Sequence, residues 1–181
     1  MRARGSVNPE GFAALLPLWE GQEDDVRDHL RTIPQGRKSP FASMPRTHFA
    51  RLTLVPRLRD RNDNELRQVP FCLFFAAEFD MFVRGYLETM CTSLGGQADE
   101  IFGRCVGYPG TGAPAAFVSW MLEHRVPAGF SLHGNPGATP DEVASSLELR
   151  ERIIAFAVET RGLEPAALRE RWLGEGWERR G

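Results

Sequence analysis

Few side chains in this sequence combine acid–base chemistry with an apolar setting. His48 and Arg51 fall inside Thr47–Val55, a run of β-branched and apolar residues bounded by Pro45 and Pro56. Glu78 stands near the end of Pro70–Phe79, a run that is otherwise apolar. His133 ends the run Ala128–His133, just before Asn135, Pro136 and Gly137. Desolvation raises a carboxylate toward general-base values, an imidazole exchanges protons near neutral pH, and a guanidinium stabilises a developing oxyanion. Arg51, Glu78, His133 and His48 are therefore the candidate catalytic residues, for proton abstraction or for acid–base assistance to an oxygenation.

Each has a structural reading beside the chemical one. Arg51 paired with Glu78 or another acid accounts for a charge inside a strand. A histidine hydrogen-bonded within the fold is the simpler reading of His48, and His133 ranks level with it. His124 falls at the C-terminal end of a short helical segment, where it complements the dipole. Asp80 reads as the N-cap of the segment that follows it. Cys72, Cys91 and Cys105 have no metal-binding or redox spacing and read as small core residues. Phosphate-binding glycine loops, dinucleotide fingerprints, zinc motifs and serine-hydrolase elbows are all missing from the sequence.

The elements that must position these residues follow from periodicity and breakers. Phe12–Trp19 reads as a strand with Pro17 at an edge or bend. Val26, Leu30 and Ile33 recur at helical spacing, with acids early and Arg31 late, and Pro34 stops that helix. Thr47–Val55 reads as the second strand and Pro70–Phe79 as a third, buried on both faces. The polar stretch 57–68 between them is long for a hairpin loop. A helix bearing Phe82, Val83, Tyr86, Leu87 and Met90 runs to Gly95-Gly96, and two short helical pieces separated by Gly107-Tyr108-Pro109-Gly110 occupy the insert 97–127. Ala128–His133 reads as a fourth strand. Thr139, Pro140 and Glu142 form a capping box opening a helix to about Thr160, with Val143, Leu147, Ile154 and Ala157 inward. A tail with Trp172 and Trp177 reads as a further helix docked by its aromatics.

Strand, helix, strand, strand, helix, strand is the split β-α-β order of an α+β, ferredoxin-like βαββαβ antiparallel sheet. The expected organisation is one domain: a ferredoxin-like unit over 12–133 with a helical insert at 97–127, and a C-terminal helical extension over 139–181. On the Leu18-Trp19-Glu20-Gly21 step, on Thr47-His48-Phe49-Ala50-Arg51 and on Phe71–Asp80, the chain resembles the dimeric α+β barrel superfamily, whose members include EthD-like proteins and antibiotic-biosynthesis monooxygenases. Dye-decolorizing peroxidases are more distantly similar. The resemblance implies a homodimer and a small-molecule site on the sheet. It also implies haem as an alternative to cofactor-free chemistry, with His48 or His133 as axial ligand. Against haem, the relatives that bind it carry two such units, and this chain has room for one.

Helices cover one face of such a sheet, leaving the other to a second subunit, the extra helices or a ligand. Alternation assigns Thr47, Phe49, Arg51 and Thr53 to that open face, with Ser131 and His133 from the last strand and Cys72, Phe74, Ala76 and Glu78 from the third. Phe49, Thr53, Phe74 and Ser131, with Tyr108 at the mouth, then line a pocket for an apolar, aromatic or polyketide-like substrate. The alternative to an enzyme is a binding or accessory subunit that uses this face for a partner. A formal net charge of −2 argues against nucleic acid, and no apolar run reaches the length of a membrane span. The start, Met1 to Glu10, lacks the apolar stretch of a signal peptide, and three irregularly spaced cysteines fit a cytoplasmic protein.

Overall fold

The structure, a computed structural model, describes residues 10–56, 70–127 and 138–177. The polar stretch 57–68 and the expected fourth strand, with Ser131 and His133, lie outside the described residues. The chain divides into two compact units, Met1–Pro136 and Gly137–Gly181.

The first unit is built on a three-stranded antiparallel sheet of β1 (Glu10–Pro17), β2 (Thr47–Val55) and β3 (Cys72–Phe79), in the order β1-β3-β2. β3 takes the centre, paired on both edges, and is apolar on both faces apart from Glu78. Leu73, Phe75, Ala77 and Phe79 point to one side and are buried, together with Phe12, Ala14 and Leu16 of β1. Four helices supply the other half of this core: α1 (Glu23–Thr32), α2 (Val83–Ser93), α3 (Gly96–Phe102) and α4 (Pro114–Glu123). Val26, Tyr86, Leu87, Met90, Phe102 and Phe117 are their main buried contributions. At roughly 1.5–3 kcal/mol per large apolar side chain removed from water, this layer outweighs any single cap or turn.

Beyond α4 the chain turns alongside the free edge of β1. The Leu15 amide donates to the His124 carbonyl at 3.0 Å and the Val126 amide to the Ala13 carbonyl at 2.8 Å, with Ala14 and Arg125 bridged antiparallel. His124 is the C-cap residue of α4, and its Nδ1 lies 2.8 Å from the Trp120 carbonyl, the capping role its position predicts.

One expected cap is corrected. Asp80 does not cap α2, because Met81 and Phe82 intervene between the end of β3 and the first helical residue. Phe82 occupies the N-cap position, 81% exposed, and the Val83 amide donates instead to Glu10 Oε2 at 3.2 Å. Phe82 thus leaves the apolar stripe to which periodicity assigned it.

The second unit is a hairpin of α5 (Pro140–Glu159) and α6 (Pro165–Gly174). The capping box forms as expected: the Glu142 amide donates to Thr139 Oγ1 and the Thr139 amide to Glu142 Oε2. The inward set does not. Val143, Leu147, Ile154 and Ala157 are exposed, and Phe156 and Thr160 are buried in their place. Periodicity finds the apolar stripes of a helix but cannot say which one its single neighbour covers. Here α6 lies against the Phe156 side, where Phe156, Trp172 and Trp177 form an aromatic clasp with ring centroids 4.4 to 5.4 Å apart. Among the described residues, no helix is long and apolar enough to cross a membrane.

Candidate active site at one end of the sheet

The end of the sheet where β2 begins and β3 stops collects Arg46, Thr47, His48, Glu78 and Asp80. Thr47 is paired with Phe79 and Phe49 with Glu78, so His48 is the extra residue of a β-bulge. A bulge re-aims the side chain it carries. Arg46, just before it, has φ of 58°, a left-handed conformation that a non-glycine residue adopts at a cost of about 1 kcal/mol. The Asp80 amide holds that turn by donating to the Arg46 carbonyl at 3.0 Å.

His48 and Asp80 meet across this turn, with Nε2 and Oδ1 2.8 Å apart. Asp80 is only 5% exposed, and its Oδ2 is buried without a hydrogen-bond partner among the described residues. The His48 side chain is about one-fifth exposed. With the imidazole neutral and the carboxylate oxygen accepting, this contact places the proton on Nε2 and leaves Nδ1 its lone pair. A buried acceptor that fixes the tautomer of a partly open imidazole is the arrangement a general base requires.

The bulge also resets the face assignment. Phe49, Arg51 and Thr53 lie on the open face as expected, opposite Glu78, Ala76 and Phe74 of β3. Ala13 and Leu15 of β1 extend that face. Thr47 does not belong to it: the bulge moves it to the core side with Phe79, and its hydroxyl is buried near that of Tyr86. Tyr86 stacks on Phe79 with ring centroids 3.8 Å apart, and burial pushes its phenol up to about 12, against a small lowering by Thr47. It stays protonated at any working pH.

Arg51 and Glu78 are diagonal neighbours, about 7–8 Å apart on adjacent strands. Arg51 Nε donates to Thr53 Oγ1 at 3.1 Å. Arg51 also borders a cavity of about 340 Å³ at the outer edge of β2, walled by Leu30, Ile33, Phe41 and Leu52.

Tyr108 is not brought to this site. Its hydroxyl donates to Asp99 Oδ1 at 2.8 Å, and the Thr111 amide and hydroxyl donate to the same carboxylate at 2.9 Å each. These bonds fasten α3 to the turn before α4. The Thr111 amide first, and then the Tyr108 hydroxyl, hold the Asp99 carboxyl below its ordinary value. A lowered folded value means a contribution to stability that is present above the unfolded value, near 3.9, and lost as pH falls through the folded one. Asp99→Asn is accordingly expected to lose about 1 kcal/mol at pH 7, allowing for solvent screening. Urea unfolding of wild type and variant should begin to draw together only as pH falls below about 4 and converge below the folded value.

The three cysteines are free and buried, as core residues should be, and burial pushes Cys105 up to about 12. Among the described residues, no cluster of three or more His, Cys, Asp or Glu stands ready for a metal ion. Phe49, Arg51, Thr53, Phe74 and Glu78 therefore share one face of the sheet, with Phe49 and Glu78 at the end where His48 meets Asp80 and Thr53 and Phe74 toward the other end, while Tyr108 is elsewhere. Sequence reasoning missed Asp80 as the partner of His48. The available signal was a pair of carboxylates two residues apart, Glu78 and Asp80, closing an apolar strand. Compared with family models, curated proteins and solved structures, the chain finds no match in any of the three.

Proposed function

We propose that this protein is a small-molecule enzyme that moves a proton to or from an apolar, aromatic or polyketide-like substrate held on the open face of its sheet. The observation that carries the proposal is the His48–Asp80 pair at the end of that face. In this reading Nδ1 of His48 takes a proton from an acidic C–H, leaving an enolate whose oxygen the Arg51 guanidinium stabilises. The imidazolium that results is stabilised by Asp80. Returning the proton to a different carbon completes an isomerisation. Attack of the enolate on a carbonyl of the same molecule, with the proton passed to the new alkoxide, completes a cyclisation. Phe49, Phe74 and Leu15 supply the apolar floor, and Glu78 is a second acid–base group beside it. The alternative within the same reading is cofactor-independent oxygenation of the enolate by dioxygen.

The fold proposed with it is the ferredoxin-like βαββαβ unit of dimeric α+β barrel proteins. Its support is the β1-β3-β2 order and the chain beginning a pairing with β1 at Arg125.

A haem-binding, peroxidase-like protein with His48 as axial ligand is the other reading, and His48 fits it poorly. Its Nε2, the nitrogen farther from the main chain, is committed to Asp80, which leaves Nδ1 close to the backbone to meet an iron. No step of the proposed chemistry runs through haem. The test is exchange of the acidic C–H of an aromatic 1,3-dicarbonyl compound with solvent deuterium. Wild type should accelerate it and His48→Gln should not.

A further inference from the structure

We propose that the α5–α6 hairpin is a self-association surface and that its occupant is the same hairpin of a second copy of this chain. The inference does not rest on the reaction assigned to the sheet. The hairpin buries only Phe156 and Thr160 below a tenth exposure, too little core for two helices to stand alone. Nine of its large apolar side chains are more than a third exposed, up to 71% at Leu173.

Those side chains have a common direction on α5. At 100° per residue, Ile153, Ala157, Val143, Ile154, Leu147 and Val158 fall within an arc of about 140°. Arg150 is the only charged residue in that arc. A groove of about 580 Å³ continues the surface onto α6, walled by Ile153 and Phe156 on one side and Leu168 and Trp172 on the other. The eight of these that line the arc or the groove, all but Leu173, expose roughly 600 Å², about the least that one partner contributes to a specific stable interface.

Charge narrows the choice of occupant. An anionic membrane surface is disfavoured, because the eight carboxylates of residues 138–177 outnumber the five arginines. A two-fold pairing of hairpins matches apolar face to apolar face and yields a four-helix arrangement with the charged residues outside.

Sedimentation equilibrium of the full chain from about 1 to 100 µM tests this. The wild type is expected at the dimer mass. Ile154→Glu with Val158→Glu should sediment as a monomer while keeping the near-ultraviolet circular dichroism of the wild type. Phe49→Glu, on the open face of the sheet, should remain a dimer. A wild type at the monomer mass throughout would overturn the proposal, as would an oligomer that survives the double substitution or one that Phe49→Glu dissociates. A lysate protein or lipid vesicle that binds the monomer would then be the occupant instead.

Discussion

Replacing His48 with alanine is expected to destabilise the protein by about 3 kcal/mol, while Asp80→Asn should cost only about 1. The asymmetry comes from what each change leaves behind. Without His48, the Asp80 carboxylate keeps its burial and loses its one side-chain partner among the described residues, and an uncompensated buried charge is among the most destabilising lesions a fold can carry. With asparagine at position 80 no charge remains to be compensated, and the amide still offers a hydrogen bond to the ring. Urea unfolding of the three proteins at pH 7 measures both differences. Equal losses would mean that the pair contributes only its hydrogen bond and that Asp80 is better solvated than its 5% exposure implies.

Phe75→Ala is expected to be costlier still, about 3–5 kcal/mol, with a fall in melting temperature of roughly 10 °C. Phe75 is wholly buried at the centre of β3, and its ring lies 6.3 Å from that of Phe12, 5.8 Å from Phe41 and 5.7 Å from Phe102. Those neighbours come from β1, from the 3-10 turn Pro40–Ser43 and from α3. A cavity there has walls on three separate elements, so closing it would require all three to move. Differential scanning calorimetry checks the value. A loss under about 1.5 kcal/mol would mean that the layer collapses around the gap.

Much of the sheet was legible because each strand carried its own burial pattern. Unbroken apolar character marked β3 as central, prolines bounded β2, and alternation sorted Phe49, Arg51 and Thr53 from Ala50, Leu52 and Leu54. The capping box at Thr139 was equally plain, being a contact between residues three apart. What escaped depended on distant chain. The bulge at His48 is a property of pairing, so neither the displacement of Thr47 nor the meeting with Asp80, 32 residues away, left a local trace. Asp80 sat where a cap was expected, and only the two residues added before α2 diverted it to His48. The stripe on α5 was seen but given the wrong side, because its neighbour was chosen by the aromatic clasp of Phe156, Trp172 and Trp177.

The central claim is that Asp80 fixes His48 as a base at the end of an apolar sheet face. Deuterium exchange into an aromatic 1,3-dicarbonyl compound, followed by proton NMR at pH 7 for wild type and Asp80→Asn, tests it most directly. If the claim holds, the wild type accelerates exchange and Asp80→Asn lowers the rate by about 10²-fold or more, because asparagine no longer enforces the tautomer that leaves Nδ1 unprotonated. Exchange equally fast in both proteins, with the fold intact in each, would contradict it.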